Sequence, residues 1–427
     1  MKTAAILSLL PLALAFRAQK RTGEPAPILK PRDVEALLEG KYIVKMKDDA
    51  SQESIDYANE LFEGEAYQMW DADKQFKGFA AQITGESLDA IAELEDVEYI
   101  EQDAIIKIDY IPEEVTTTET AKRALTSTTA ASWGLGRISH KALTLTPYVY
   151  DTSAGTGVCA YVIDTGILTT HTQFGGRATF LANYADSSNT DGNGHGTHVA
   201  GTIGGSTYGV AKAVTLYAVK VLDSSGSGTN SGVISGINYV ASDAPTRSCS
   251  SVANMSLGGS KSTAVNSAAA ALVQAGVFLA VAAGNSAANA ANYSPASETT
   301  ACTVGATTST DTLASYSNYG SVVDILAPGS SIVSSYIGST SATVSQIPLH
   351  SGTLGYIADV EISPQATLSG TSMASPHIAG LGAYFLALQG SMTPAALCTY
   401  IRNNANSGVI SGVPSGTPNL LAYNGAA

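Results

Sequence analysis

The 427 residues contain no uninterrupted apolar run of about 18, the length a membrane-spanning helix needs. The absence argues against an anchor, and no membrane partner is expected. Basic side chains are also scarce. The chain has 22 Lys and Arg against 36 Asp and Glu, and they form no stripe, so nucleic acid is excluded as a partner. Cysteine is absent before position 159. The four that follow, Cys159, Cys249, Cys302 and Cys398, allow three pairings between which spacing does not choose. Charge itself thins along the chain. Residues 1–123 carry 14 basic and 25 acidic side chains, whereas 124–427 carry only 8 and 11. A dense acidic portion therefore precedes a sparsely charged one rich in Gly, Ala, Ser and Thr, with the boundary at Lys122-Arg123.

Residues 1–15 read as a signal peptide: Lys2, an apolar run from Ile6 to Leu14, and a small-x-small end at Ala13-Leu14-Ala15. Export is expected, and with it disulfides. Over about 41–108, strand-like stretches (41–46, 66–70, 78–83, 97–108) alternate with helix-like ones (52–62, 87–94), the order of a small α+β ferredoxin-like unit. Residues 109–123 form a linker, and polar composition extends that exposed character over 112–132. From 124 to 427 the pattern changes. Short apolar runs at 158–163, 216–221, 252–257 and 277–282 suit parallel strands buried on both faces. Helical segments at 198–204, 232–242, 263–274 and 373–388 complete an α/β fold with helices on both faces of a mostly parallel sheet. In such sheets function gathers at the carboxyl ends of strands, where Asp164 and Asn285 fall.

Four motifs carry chemistry. Val162-Ile163-Asp164-Thr165-Gly166 sets a carboxylate at a strand end; Asp-Thr-Gly also signs aspartic proteases, but the second copy they need is absent. Gly194-His195-Gly196-Thr197-His198 opens a helix with His195, and no nearby Cys, His or Glu completes a zinc set. His198 suits a hydrogen-bonded structural role within that helix. Gly370-Thr371-Ser372-Met373-Ala374 opens the long apolar helix; Ser372 is there either a helix cap or a nucleophile flanked by small residues. Ala283-Gly284-Asn285 offers an amide, either a turn former or an oxyanion donor. The order Asp, His, Ser, with Asn between the last two, is specific in combination.

With these motifs the chain from Trp133-Gly134-Leu135 to Asn419-Leu420-Leu421-Ala422-Tyr423-Asn424 resembles the subtilisin family of serine endopeptidases, in its proteinase K-like fungal secreted subgroup. Residues 41–108 resemble that family's inhibitor pro-domain. The resemblance implies a zymogen whose peptidase domain hydrolyses peptide bonds through Asp164, His195 and Ser372, with Asn285 at the oxyanion. It implies substrate-pairing strands at Gly226-Ser227-Gly228 and Ser256-Leu257-Gly258-Gly259, and broad specificity with apolar or aromatic P1 residues. Asn230 stands where the subgroup has an aromatic in an outer subsite. The disulfides implied are Cys159–Cys249 and Cys302–Cys398, and Val199 replaces a free cysteine beside the histidine. No cofactor serves catalysis. One structural Ca²⁺ is implied at Asp324 and the carbonyls of Thr299 and Ala301; Lys141 and Val409 occupy the positions of a second site. The partners implied are protein and peptide substrates and the chain's own pro-domain, with the protein a monomer and its mature end between residues 123 and 126.

Two further expectations come from the residues themselves. Of two Asn-x-Ser sequons, Asn254 lies beside a substrate strand and Asn292, in a loop, is the glycosylation candidate. Residues 344–365 are absent from the family pattern. Their ends can be encoded by splice-site sequences and their 22 codons keep the frame, so they are read as an insertion or a retained intron. Placed just before Ser372, such a segment makes a catalytically impaired substrate-binding relative the alternative reading.

Overall fold

The computed structural model describes residues 19–117, 129–338 and 364–426. The expected signal peptide lies outside them, as do most of the 344–365 segment and residues 118–128 of the linker.

The amino-terminal unit runs β1 (Ile28–Leu29), β2 (Leu37–Met46), α1 (Gln52–Asn59), β3 (Gln68–Trp70), β4 (Gly78–Gln82), α2 (Gly85–Ala92) and β5 (Val97–Lys107). The sheet order β1-β5-β2-β4-β3 is the expected ferredoxin-like arrangement with one short parallel strand added at the edge. Alternation along the strands decides its two faces. Val44, Phe79, Ala81 and Ile100 pack under α1 and α2, while Ile43, Trp70, Ala80 and Tyr99 turn to the other face. Ser51 caps α1 by accepting from the Ser54 N–H at 3.2 Å. Strand β6 (Ile111–Thr117) follows, where an exposed linker was expected. Its backbone pairs antiparallel with a strand of the second unit, a partner that lies about 250 residues downstream and leaves no local periodic trace.

The second unit contains α3 (Trp133–Ile138), β7 (Val158–Asp164), β8 (Ala178–Asn183), α4 (His195–Gly204), β9 (Thr215–Lys220), β10 (Ser227–Thr229) and α5 (Asn230–Asp243). It continues through β11 (Ser250–Met255), β12 (Gly259–Ser260), α6 (Thr263–Gln274), β13 (Phe278–Ala282), β14 (Tyr293–Ser294), β15 (Cys302–Thr307), β16 (Ile325–Pro328) and β17 (Ile332–Ser335). It closes with β18 (Pro364–Ser369), α7 (Thr371–Gln389), α8 (Pro394–Asn404), β19 (Asn406–Ser407) and β20 (Leu420–Leu421). Nine strands form one sheet in the order β19-β20-β16-β15-β13-β11-β7-β9-β8, parallel except at β19. Both faces are covered, which is why its central strands, β7 and β13 above all, are largely apolar and buried. Along β7, Val158, Ala160 and Val162 pack on the α4 and α7 side, and Cys159, Tyr161 and Ile163 on the α5 and α6 side. The disulfides are those implied, Cys159–Cys249 and Cys302–Cys398, each with Cα atoms 5.9 Å apart.

The two units share a core. Ile43, Trp70, Phe76 and Tyr99 of the first join residues of α5 and α6 in one buried cluster. Trp70 Nε1 donates to Ser235 Oγ at 2.8 Å, and Asn238 exchanges two hydrogen bonds with the Phe76 backbone. Two acidic side chains of β5 complete the contact. Glu101 accepts from the Thr263 and Ala264 N–H groups and from Ser262 Oγ at the start of α6. Asp103 accepts from the Ser231 N–H and hydroxyl at the start of α5. Each carboxylate meets donors that a helix leaves open at its amino end, where the helix dipole also favours negative charge.

Candidate active site

Asp164 ends β7 and His195 opens α4, both fully buried, with His195 Nδ1 2.7 Å from Asp164 Oδ1. Because a carboxylate only accepts, Nδ1 carries the proton, and in the neutral imidazole Nε2 then presents its lone pair. The same oxygen of Asp164 accepts from the Thr165 N–H at 2.7 Å, which fixes the carboxylate. The expected helix at 198–204 in fact begins at His195. Only a glycine fits next: a Cβ at Gly196 would lie 2.0 Å from the Gly166 carbonyl oxygen.

Ser372 is the second residue of α7, and its helix cap is Gly370, so the cap reading of Ser372 does not hold. Its Oγ lies 3.2 Å from the Ser256 carbonyl and 3.4 Å from the Asp109 carbonyl. Among the described residues, His195 Nε2 is buried with no hydrogen-bond partner. Asn285 follows β13. Its Oδ1 accepts from the Thr371 N–H at 2.7 Å and hydroxyl at 2.9 Å, and since the N–H can only donate, Nδ2 is left facing the Asp109 carbonyl, to which it donates.

The expected substrate strands are both paired, and with the chain's own β5. Ser227, Gly228 and Thr229 align antiparallel with Lys107, Ile106 and Ile105. Gly258 and Lys107 exchange backbone hydrogen bonds at 3.3 and 3.1 Å, and the Ile108 N–H donates to Gly226 O at 3.0 Å. A Cβ at Gly226, whose φ is +77°, would lie 2.4 Å from Ile108 Cδ1. Leu257, Gly258, Gly259, Ala282, Ala283, Gly284 and Asn285 line a cavity of about 510 Å³ beside Ser372, with Asp109 on its wall. Asn230, by contrast, is buried within the first turn of α5.

Three placements sharpen the earlier reading. His198 Nε2 carries the proton and donates to the Ile332 and Ala366 carbonyls, and burial depresses its pKa to about 3, so it is a neutral structural histidine. Asn254 is fully buried, donating to Ser256 Oγ and accepting from Ser375, which leaves Asn292 as the exposed sequon. Pro364 and Gln365, the last residues of the 344–365 segment, belong to β18; Gln365 pairs with Ser335 at the far end of the β17–β18 hairpin from Ser372. The hairpin stays joined between that point and Ser372, with Ser331 N–H on Ser369 Oγ at 2.7 Å and Gly370 N–H on Gly329 O at 2.8 Å. The segment therefore does not part Ser372 from its neighbours.

Asp324 does not stand open to a metal. Its Oδ1 lies 3.2 Å from Arg402 Nη1 and its Oδ2 accepts from the Thr303 N–H at 3.0 Å. The Cys302 and Cys398 sulfurs near it are tied to one another as a disulfide and offer no thiolate. As the chain stands, a guanidinium supplies the positive charge that a calcium ion was expected to bring.

Sequence reasoning missed Asp191. Buried in the loop before α4, it accepts from Thr165 Oγ1, the Asn193, Gly194 and Thr197 N–H groups and Thr197 Oγ1, and so holds the approach to His195. Its only signal was the spacing Asp191-Gly192-Asn193-Gly194-His195, in which an Asx-type turn precedes the histidine. Ser256 was predicted for substrate pairing, yet its Oγ donates to Ser372 O at 2.7 Å and so also braces the first turn of α7.

With this geometry in view, the profile of the subtilase family matches residues 155–422 and that of the peptidase inhibitor I9 domain matches residues 41–109. The chain belongs to the subtilase family. It is similar to the subtilisin-like serine protease AsES of Sarocladium strictum, 50% identical over all of this chain and 99% of the relative. Proteinase R of Parengyodontium album is 45% identical, with 99% of both chains covered. Among solved structures, a cold-adapted subtilisin-like serine proteinase superposes with a TM-score of 0.60 at 44% identity, covering 70% of this chain and all of that one. This subtilase is accordingly a proteinase K-like serine protease carrying an I9 pro-domain, and subtilases need no cofactor for catalysis. Among the described residues, no helix is long and apolar enough to cross a membrane.

Proposed function

We propose that this subtilase is a secreted endopeptidase in which Ser372 is the nucleophile, His195 the general base and acid, and Asp164 the group that orients the imidazole and stabilises its cation. The observation that carries this reading is the convergence of Ser372 and Asn285 on one peptide carbonyl, that of Asp109, with the His195 ring 5.2 Å from the ring of the next residue, Tyr110. Rotation about the Ser372 Cα–Cβ bond takes Oγ from the Ser256 carbonyl toward the unpartnered His195 Nε2, and such hydrogen bonds commonly tighten only in the reacting complex. Oγ then attacks the scissile carbonyl, His195 passes the proton to the leaving amine, and water resolves the acyl-enzyme. Asn285 Nδ2 and the Ser372 N–H hold the oxyanion. Gly226–Gly228 and Ser256–Gly259 read main chain by strand addition, and the apolar cavity walls favour apolar or aromatic P1 side chains. Fluorophosphonate labelling tests the assignment: it is expected in the mature enzyme and lost in Ser372→Ala, and labelling that survives the substitution defeats it.

The pro-domain acts as folding assistant and temporary inhibitor, and the mature protease is a monomer. Calcium reaches Asp324 and the Thr299 and Ala301 carbonyls only by displacing Arg402, so the site is weak. Asn292 is the glycosylated sequon; it lines the cavity beside Ser372, so the sugar stands at the cleft mouth. Residues 344–365 are an insertion or a retained intron, and a tryptic map of active enzyme separates the two by whether it contains peptides from inside the segment.

A further inference from the structure

The family resemblance sets the mature amino end between residues 123 and 126, yet a different peptide bond lies over Ser372. Residues 105–108 fill the acyl side of the cleft through the pairings with Ser227–Thr229, Gly258 and Gly226. The Asp109 carbonyl accepts from Asn285 Nδ2 and sits 3.4 Å from Ser372 Oγ. The next residue, Tyr110, has its ring centroid 5.2 Å from that of His195. Past it, Ile111 and Pro112 pair with Ser369 and Leu368 on the leaving-group side, so the chain crosses the cleft unbroken. A strand paired on both sides of a nucleophile can present only one bond to it, because a slip of one residue exchanges every side chain between faces. The I9 match also ends at residue 109.

We propose that maturation begins at the Asp109–Tyr110 bond. This inference rests on the triad reading above. Ser372 Oγ bonds to the Asp109 carbonyl carbon, the C–N bond to Tyr110 breaks, and the Tyr110 nitrogen leaves with a proton from His195. Water then releases the pro-domain with an Asp109 carboxyl end, while β6 remains on the peptidase as an amino-terminal extension. Aspartate is a poor occupant for a cavity walled by Leu257, Ala282, Ala283 and Gly284, and no ion pair with Asp109 exists among the described residues. Burial holds its carboxyl above the usual carboxylate range. A slow first cut follows.

The test is a mass-spectrometric time course of the full precursor as it refolds. The first products expected are a fragment ending at Asp109 and a peptidase beginning at Tyr110. Tyr110→Pro, which places a ring nitrogen at the leaving position, should stall the precursor uncut. Asp109→Leu should hasten the first cut by on the order of tenfold, which keeps the proposal open to failure if the proline variant misfolds. An active preparation whose first new amino end falls within 123–126, with no fragment ending at Asp109 at any time, overturns the proposal alone, as does an Asp109→Leu chain that first cuts elsewhere. A wild-type chain that neither cuts itself nor labels at Ser372 fails the triad reading, and this proposal with it.

Discussion

The two units bury acid differently. In the peptidase, buried Asp164 and Asp191 face donors of their own unit, and Asp311 holds Arg137 in a two-pronged pair at 2.8 and 3.0 Å. In the pro-domain, the buried Glu101 and Asp103 find most of their donors across the interface, on α5 and α6. One unit is satisfied internally and the other is completed by its partner. Removing the pro-domain therefore opens two helix ends and one face of a shared apolar cluster, at sites where the peptidase chain has little charge to offer instead.

Several measurements break or sharpen this contrast. The largest effect is expected in refolding. Denatured 124–427 should recover at least about tenfold less activity alone than with residues 16–123 supplied in trans, and equal yields would remove the dependence of one unit on the other. Asn285→Ala comes next. It should lower kcat on the order of 10²–10³-fold, the size known for a subtilisin oxyanion donor, while weakening pro-domain inhibition far less, because the pro-domain is held mainly through α5 and α6. A matched loss in both assays would place its grip in the cleft instead.

Glu101→Ala should weaken inhibition by about tenfold, the value of one lost helix cap. Here pH adds a signature. Burial holds the Glu101 and Asp103 carboxyls above their usual range in the complex, although the N–H donors pull the other way. The complex therefore takes up protons as it forms. Its extra stability is full below the ordinary carboxylate pKa and is lost as pH rises through the raised values, so inhibition should be tighter near pH 4 than near pH 7. Inhibition constants across that range in wild type and Glu101→Gln check the sign, with a flatter profile expected in the variant. The smallest effect concerns Arg402. Arg402→Ala should enlarge the calcium-dependent rise in Tm by a few degrees by freeing Asp324, and Asp324→Ala should abolish it. A calcium response unchanged in Arg402→Ala would show that the guanidinium does not compete for the site.

Much of the fold was legible because its strands are buried on both faces and read as continuous apolar runs, as at 158–163 and 277–282. The elements that carry the candidate site were legible for a related reason: Asp164, Asn285 and Ser372 lie at ends of strands or helices, where a change in pattern marks them. Strand β6 was not legible. Its partner β18 is remote, and its own Thr- and Glu-rich sequence matches an exposed linker. Asp191 was obscured likewise, since a turn aspartate looks the same whether it faces water or five buried donors.

By itself the sequence determined the order of elements, the family, and which Asp, His, Ser and Asn stand where chemistry is possible. Those follow from local periodicity and motif spacing, which are written in adjacent residues. Only the tertiary structure decided which cation meets Asp324, where Glu101 and Asp103 find their donors, and which bond of the chain crosses Ser372. Each of these is a pairing between groups tens to hundreds of residues apart. Such pairings depend on where folded surfaces bring side chains and backbone groups together, and no local pattern encodes that.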